Sequence, residues 1–182
     1  SLGLVGSEMC IRDSLGIVLV FSLGNSSNAF LLLKARHDGI SPAFVPLLYA
    51  LFNVVYAAGA YPLGGLSDRL GRKRVLLGGW LVYALAYFLA AFLRGTWWWG
   101  IMALYGLYYA TADGVERALV ADLVQPELRG TAYGLFHMTV GLSLLPASVI
   151  AGALWDLVSP QAPFVFGGSA ALAAAAMLLV WR

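Results

Sequence analysis

A bundle of membrane-crossing α-helices is what this sequence predicts, and three observations carry the prediction. Apolar residues make up 61% of the 182-residue chain and charged residues only 11%, where a soluble domain averages about 45–50% and about 25%. Uncharged apolar runs recur along the chain, each near the ~20 residues that a helix needs to cross a hydrocarbon core. The connections between them are short, which leaves no room for a soluble domain and makes consecutive helices antiparallel neighbours in one bundle.

Six spans follow from runs bounded by charge, Gly or Pro: about 15–33, 43–63, 75–93, 97–117, 132–155 and 162–181. Residues 1–14, SLGLVGSEMCIRDS, resemble translated sequencing-adapter read-through. They are set aside as a non-native leader, against the plainer reading of a cytoplasmic linker, and residues 15–182 are taken as one six-helix transmembrane domain and a fragment of a longer chain. The single cysteine, Cys10, excludes an internal disulfide and leaves no thiol pair for zinc or redox chemistry. No metal or cofactor is expected. Eleven basic against nine acidic residues is too even a balance to imply a nucleic-acid partner; the partner that composition demands is a lipid bilayer.

Polar residues then distinguish the spans. Ser22, Asn25 and Asn28 in the first recur at three-residue spacing, which sets them along one helical face. Tyr49, Asn53 and Tyr56, at i, i+4 and i+7, share one face of the second, and Tyr105, Tyr109, Asp113 and Glu116 share one face of the fourth. The third span offers only Tyr83 and Tyr87, and the sixth is an alanine-rich run. Buried amides and carboxyls need partners or water, so the striped helices should surround a cavity while the third and sixth pack outside. Each amide taken singly serves equally well as interhelical glue.

The fifth span carries Gly130, Gly134, Gly141, Ser148 and Gly152 on one stripe, where another helix can approach closely, with Pro146 off the stripe as a bend. His137 beside it is either a cavity residue or a packing residue. Trp97, Trp98 and Trp99 next to Arg94 read as an interfacial aromatic belt rather than a ligand lid. A carboxylate such as Asp113 near mid-membrane costs about 2.5 to 3.5 kcal/mol unless paired or hydrated. Arg117, four residues on, would make it a structural ion pair; otherwise Asp113, or Glu116, is a coupling group.

The only dense charge lies between the second and third spans, Gly64 to Arg74, read as GGLSDRLGRKR and expected to be a loop in water turning at Gly65 and Gly71. Its order G-x-x-x-D-R-x-G-R-K, with Gly64, Asp68, Arg69, Gly71, Arg72 and Lys73 at the key positions, resembles the signature loop of the major facilitator superfamily of secondary transporters. Glu127-Leu128-Arg129-Gly130 resembles the sequence that commonly opens a later helix in that family; its plainer reading is a capped turn with Pro126 and Glu127 at a helix start.

The resemblance implies a twelve-helix protein made of two six-helix halves, with a small-molecule substrate site between them and helices 1, 2, 4 and 5 of each half lining it. Span four lacks an R-x-x-G motif and span five reads Leu145-Pro146-Ala147 in place of a G-P-rich one. These departures assign the chain to the C-terminal half, partnered by a missing N-terminal half. The implied function is proton- or ion-coupled movement of a small solute by alternating access in a bacterial inner membrane. A non-transporting receptor or scaffold is the alternative. A membrane-embedded enzyme is disfavoured, since His37 and His137 are the only histidines and no H-E-x-x-H or nucleotide-binding loop occurs.

Positive charge sets the expected orientation. Arg69, Arg72, Lys73, Arg74, Arg117, Arg129 and Arg182 fall on one side, and Lys34, Arg36 and Arg94 on the other. The first set, and with it both termini, is expected in the cytoplasm.

Overall fold

The computed structural model describes residues 16–122 and 124–180, and among these every regular element is a helix. Residues 16–24 form α1, followed by α2 (Ala29–His37), α3 (Val45–Leu70), α4 (Arg72–Phe92), α5 (Trp97–Asp122), α6 (Arg129–Leu157) and α7 (Ala162–Val180). The expected leader at 1–14, position 15 of the first span, position 181 of the sixth and Arg182 lie outside the described residues.

Five segments are long and apolar enough to cross a bilayer: Gly16–His37, Pro42–Leu70, Arg72–Phe92, Pro126–Leu157 and Ala162–Val180. α5 is not among them, because its indole and phenol rings and then Asp113, Glu116 and Arg117 dilute its apolar character. It is nonetheless 26 residues long and packs along α3 and α4, so the six-span reading rests on α5 crossing beside them.

The first span differs from expectation in being interrupted. Gly24-Asn25-Ser26-Ser27-Asn28 concentrates side chains that compete for backbone hydrogen bonds, and residues 25–27 leave the helix before Ala29 opens α2. Ser22, Asn25 and Asn28 therefore do not share one helical face. The backbone groups freed by the break find partners: the Asn25 N–H donates to the carbonyls of Phe21 (3.1 Å) and Ser22 (3.2 Å). The Tyr83 hydroxyl donates to the Gly24 carbonyl at 3.0 Å. Irregular backbone at membrane depth survives on such terms.

The charged signature stretch also differs. α3 runs unbroken through Pro62, Gly64, Gly65 and Asp68 to Leu70, and Gly71 alone separates it from α4. Charge requires water, not a loop, so the helix continues past the membrane until Gly71, whose φ of 94° favours glycine, reverses it. Gly65 is helical and makes no turn. Pro146 likewise lies inside a continuous α6.

The third and sixth spans, expected to pack outside the cavity, hold the largest shares buried within this chain, 56% and 44%, while Pro42–Leu70 and Pro126–Leu157, expected to line it, have 11% and 17% and so keep open faces. α4 packs between α5 and α7, and its inward face supplies Trp80, Tyr83 and Tyr87 to a core of rings. Phe21 stacks on Trp80 at 4.7 Å and Tyr83 on Tyr87 at 4.1 Å. Only the outer surfaces of these helices, with Leu81, Leu85, Leu172 and Leu179, remain uncovered. Along α6 the small-residue stripe is open in its first half, where a Cβ at Gly130, Gly134 or Gly141 would find nothing within 4 Å among the described residues, and at Gly152 it would only touch Phe30 of α2 at 4.0 Å. Close approach occurs instead where α1 meets α7, since a Cβ on Gly24 would lie 2.5 Å from the Ala170 methyl and one on Gly167 would lie 2.6 Å from the Gly24 carbonyl.

Candidate functional site

Two adjoining cavities form where the interrupted first span faces α5 and α6. One, of ≈320 Å³, is lined by Ser22, Asn25, Ser26, Ser27, Asn28, Tyr109, Val140 and Leu144. The other, of ≈150 Å³, is lined by Asn25, Tyr108, Tyr109, Ala112, Asp113, Glu116, Arg117, Phe136, His137 and Val140. They share Asn25, Tyr109 and Val140, and so make one polar groove.

The break places both asparagines in this groove, each held by α5. Asn28 Oδ1 accepts from the hydroxyls of Tyr105 (2.6 Å) and Tyr109 (3.1 Å). Asn25 Nδ2 donates to Tyr108 Oη at 3.4 Å, while its Oδ1 is buried without a hydrogen-bond partner among the described residues. A buried acceptor left this way costs free energy that a donor from a solute or water would recover.

Along α5 the groove becomes charged. Asp113 Oδ2 accepts from Tyr56 Oη at 2.7 Å and from Arg117 Nη2, while Arg117 Nε donates to the Asp113 carbonyl at 3.1 Å. The pair is half-exposed, at 38% and 42% of side-chain surface. Glu116, one turn from it, takes a hydrogen bond from Trp80 Nε1 at 3.1 Å. It lies between the polar groove and an apolar pocket of Val18, Leu76, Trp80, Leu119, Val120 and Leu178. His137 sits at the groove's edge on α6, uncovered, with its ring 5.3 Å from that of Phe136.

Of the stripe expected on the second span, only Tyr56 reaches a cavity-lining residue. Tyr49 and Asn53 lie on an uncovered face of α3, where the Asn53 amide donates to the Tyr49 carbonyl at 2.7 Å. Sequence reasoning missed Tyr108, Phe136, Val140 and the Trp80 donor. Tyr108 stands three residues after Tyr105, so the spacing held its signal; Trp80 sits in a span that reads as lipid-facing.

At the end of the bundle where α3 and α5 terminate, the signature residues make a second polar cluster. Arg72 donates to Asp68 Oδ1 (2.8 Å), Ser67 Oγ (3.1 Å) and Asp122 Oδ2 (2.8 Å), tying together α3, α4 and α5. Ser67 is buried and donates to the Gly64 carbonyl at 2.7 Å. Lys73 donates to the Leu179 carbonyl of α7 at 3.5 Å. Arg69 lines a surface groove along α3 with Tyr61, Gly64 and Asp68. Asp122 carried no motif and was not singled out in the sequence.

Comparison with known proteins agrees with this architecture. The protein-family model described as Major Facilitator Superfamily matches residues 14–182. An uncharacterized MFS-type transporter of Methanocaldococcus jannaschii is 39% identical over 174 residues, covering 90% of this chain and 42% of that protein. The class B tetracycline resistance protein of Escherichia coli is 29% identical over 147 residues, 81% of this chain and 35% of that one. A chloramphenicol resistance protein of Acinetobacter baumannii is 45% identical over 56 residues, 31% of this chain and 14% of its own. The chain thus spans less than half the length of these relatives.

Proposed function

Because this chain belongs to the Major Facilitator Superfamily, we propose that it forms one six-helix half, the C-terminal one, of a secondary transporter that moves a small solute across the inner membrane by alternating access. The remainder of the protein supplies the other half, and the groove between the interrupted first span, α5 and α6 is this half's wall of the solute path. The observation that carries the reading is the break itself. Discontinuous helices are where transporters expose backbone and amide groups to substrate, and here the break presents Asn25 and Asn28 beside a half-exposed ion pair. Asn25 Oδ1, buried and without a hydrogen-bond partner among the described residues, suits a solute that brings a hydrogen-bond donor.

Asp113, Glu116 and Arg117 are the candidate coupling groups, since all three line the groove on one stretch of α5. The Asp68–Arg72–Asp122 cluster fits a latch on the cytoplasmic face, joining three helix ends through one guanidinium. Tetracycline and chloramphenicol, named for the relatives, are the first solutes to try. In vesicles containing the full-length protein, a pH gradient should drive uptake of one of them, and Asn25→Ala with Asn28→Ala should raise its KM at least tenfold. Absence of flux for any solute in an otherwise folded protein would favour a receptor or scaffold.

A further inference from the structure

The other end of the bundle holds a buried charge cluster that the solute groove does not use. Lys34 is 0% exposed, and its ammonium donates to both oxygens of Asp38, at 2.6 and 2.5 Å; the Asp38 side chain is 1% exposed. Both residues belong to α2 and its C-cap, so the ion pair closes within one helix and joins nothing. What crosses to a neighbour is the remaining acceptor capacity of Asp38. Trp98 Nε1, in the first turn of α5, donates to Asp38 Oδ2 at 3.1 Å.

We propose that the Asp38–Trp98 bond is a releasable latch that closes α2 against α5 at the end of the bundle opposite the Asp68–Arg72 cluster. α2 packs its backbone against α3 and α4, whereas long side chains bridge it to α5, through Asn28 at one end and Asp38 at the other. It is nine residues long, roughly 13 Å at 1.5 Å per residue, and the non-helical residues 25–27 precede it as a natural pivot. The cluster is also built to open without orphaning a charge. Arg94, 69% exposed, holds Nε 4.0 Å from Asp38 Oδ1. On release, Asp38 gives up the indole but keeps this guanidinium within ion-pair reach and Lys34 stays paired, so the carboxylate has partners in both states. Arg94 is thus the second cation of the cluster, and the one that stands in solvent.

A cysteine in place of Ala35, buried on α2 at 0% exposure, reports the opening. In the full-length protein in nanodiscs, with other cysteines replaced, Ala35→Cys should react slowly with a hydrophilic maleimide. Trp98→Phe, which removes the donor and leaves the ion pair intact, should raise that rate at least tenfold. Should Trp98→Phe fail to fold, Lys34→Leu with Asp38→Leu removes the same bond with no charge orphaned and should give the same acceleration. A rate equal to the parent's in whichever variant folds overturns the latch. The measurement needs no solute, so it stands or falls separately from the transport reading.

Discussion

At the residue scale the sharpest question is what Asp113 does. Its pair with Arg117 is legible from the i, i+4 spacing, and the structure adds Tyr56 as a third partner from α3. Both charged side chains are more than a third uncovered and face the groove, and an ion pair that water reaches contributes only about 0–1 kcal/mol to stability. Asp113→Asn should accordingly leave yield and melting temperature close to those of the parent. If the carboxylate couples transport, the variant should lose pH-driven flux while keeping solute exchange; a loss of folded protein instead would make the pair structural. The residues hardest to read were rings with one polar atom. Trp80 patterns as apolar, Tyr83 sits in a span that reads as lipid-facing and Tyr108 falls beside the expected stripe, yet each donates its N–H or O–H to a specific partner or accepts one: Glu116, the Gly24 carbonyl, and the Asn25 amide.

At the scale of elements, apolar periodicity located the spans, because a membrane helix needs little more than length and hydrophobicity. It could not show the break at 25–27, since a window average passes over four small polar residues beside a glycine, nor the run of α3 through its charges. Backbone geometry now separates glycines that the sequence alone treats alike. Gly24→Ala forces a methyl to 2.5 Å from Ala170 and 3.2 Å from the Gly167 backbone, and overpacking of this kind costs about 1–3 kcal/mol. Gly71→Ala puts a side chain at φ 94°, at a cost of about 1–3 kcal/mol. Gly64→Ala, also in the signature, meets nothing within 4 Å inside a helix and should be neutral or stabilising by up to about 1 kcal/mol. Thermal melts in detergent check the ranking; a Gly64→Ala as damaging as Gly24→Ala would mean that a neighbour outside this chain packs there.

At the scale of the whole molecule, every long helix leaves apolar side chains uncovered: Val54 and Leu70 on α3, Leu85 on α4, Trp97 and Trp99 on α5, Leu142, Leu145 and Val149 on α6 and Leu179 on α7. A bundle apolar on all sides belongs in a bilayer, and the charge at its two ends decides which way it stands. Arg69, Arg72, Lys73 and Arg74 gather where α3 ends and α4 begins. At the opposite end Lys34 is sealed within α2 against Asp38, so Arg36 and Arg94 are the exposed cations left there. Burial thus sharpens the asymmetry that the sequence count first suggested, because a lysine folded into an ion pair inside the bundle presents no free charge to the membrane surface. The end bearing Arg72 should therefore face the cytoplasm. Arg74 and Thr96 are both exposed and lie at opposite ends of α4, which makes them a matched pair of reporters. In intact cells an impermeant maleimide should label Thr96→Cys readily and reach Arg74→Cys only after permeabilisation. The reverse pattern would invert the topology, and with it the assignment of the Asp68–Arg72–Asp122 cluster to the cytoplasmic gate and of the Asp38–Trp98 bond to the outer one.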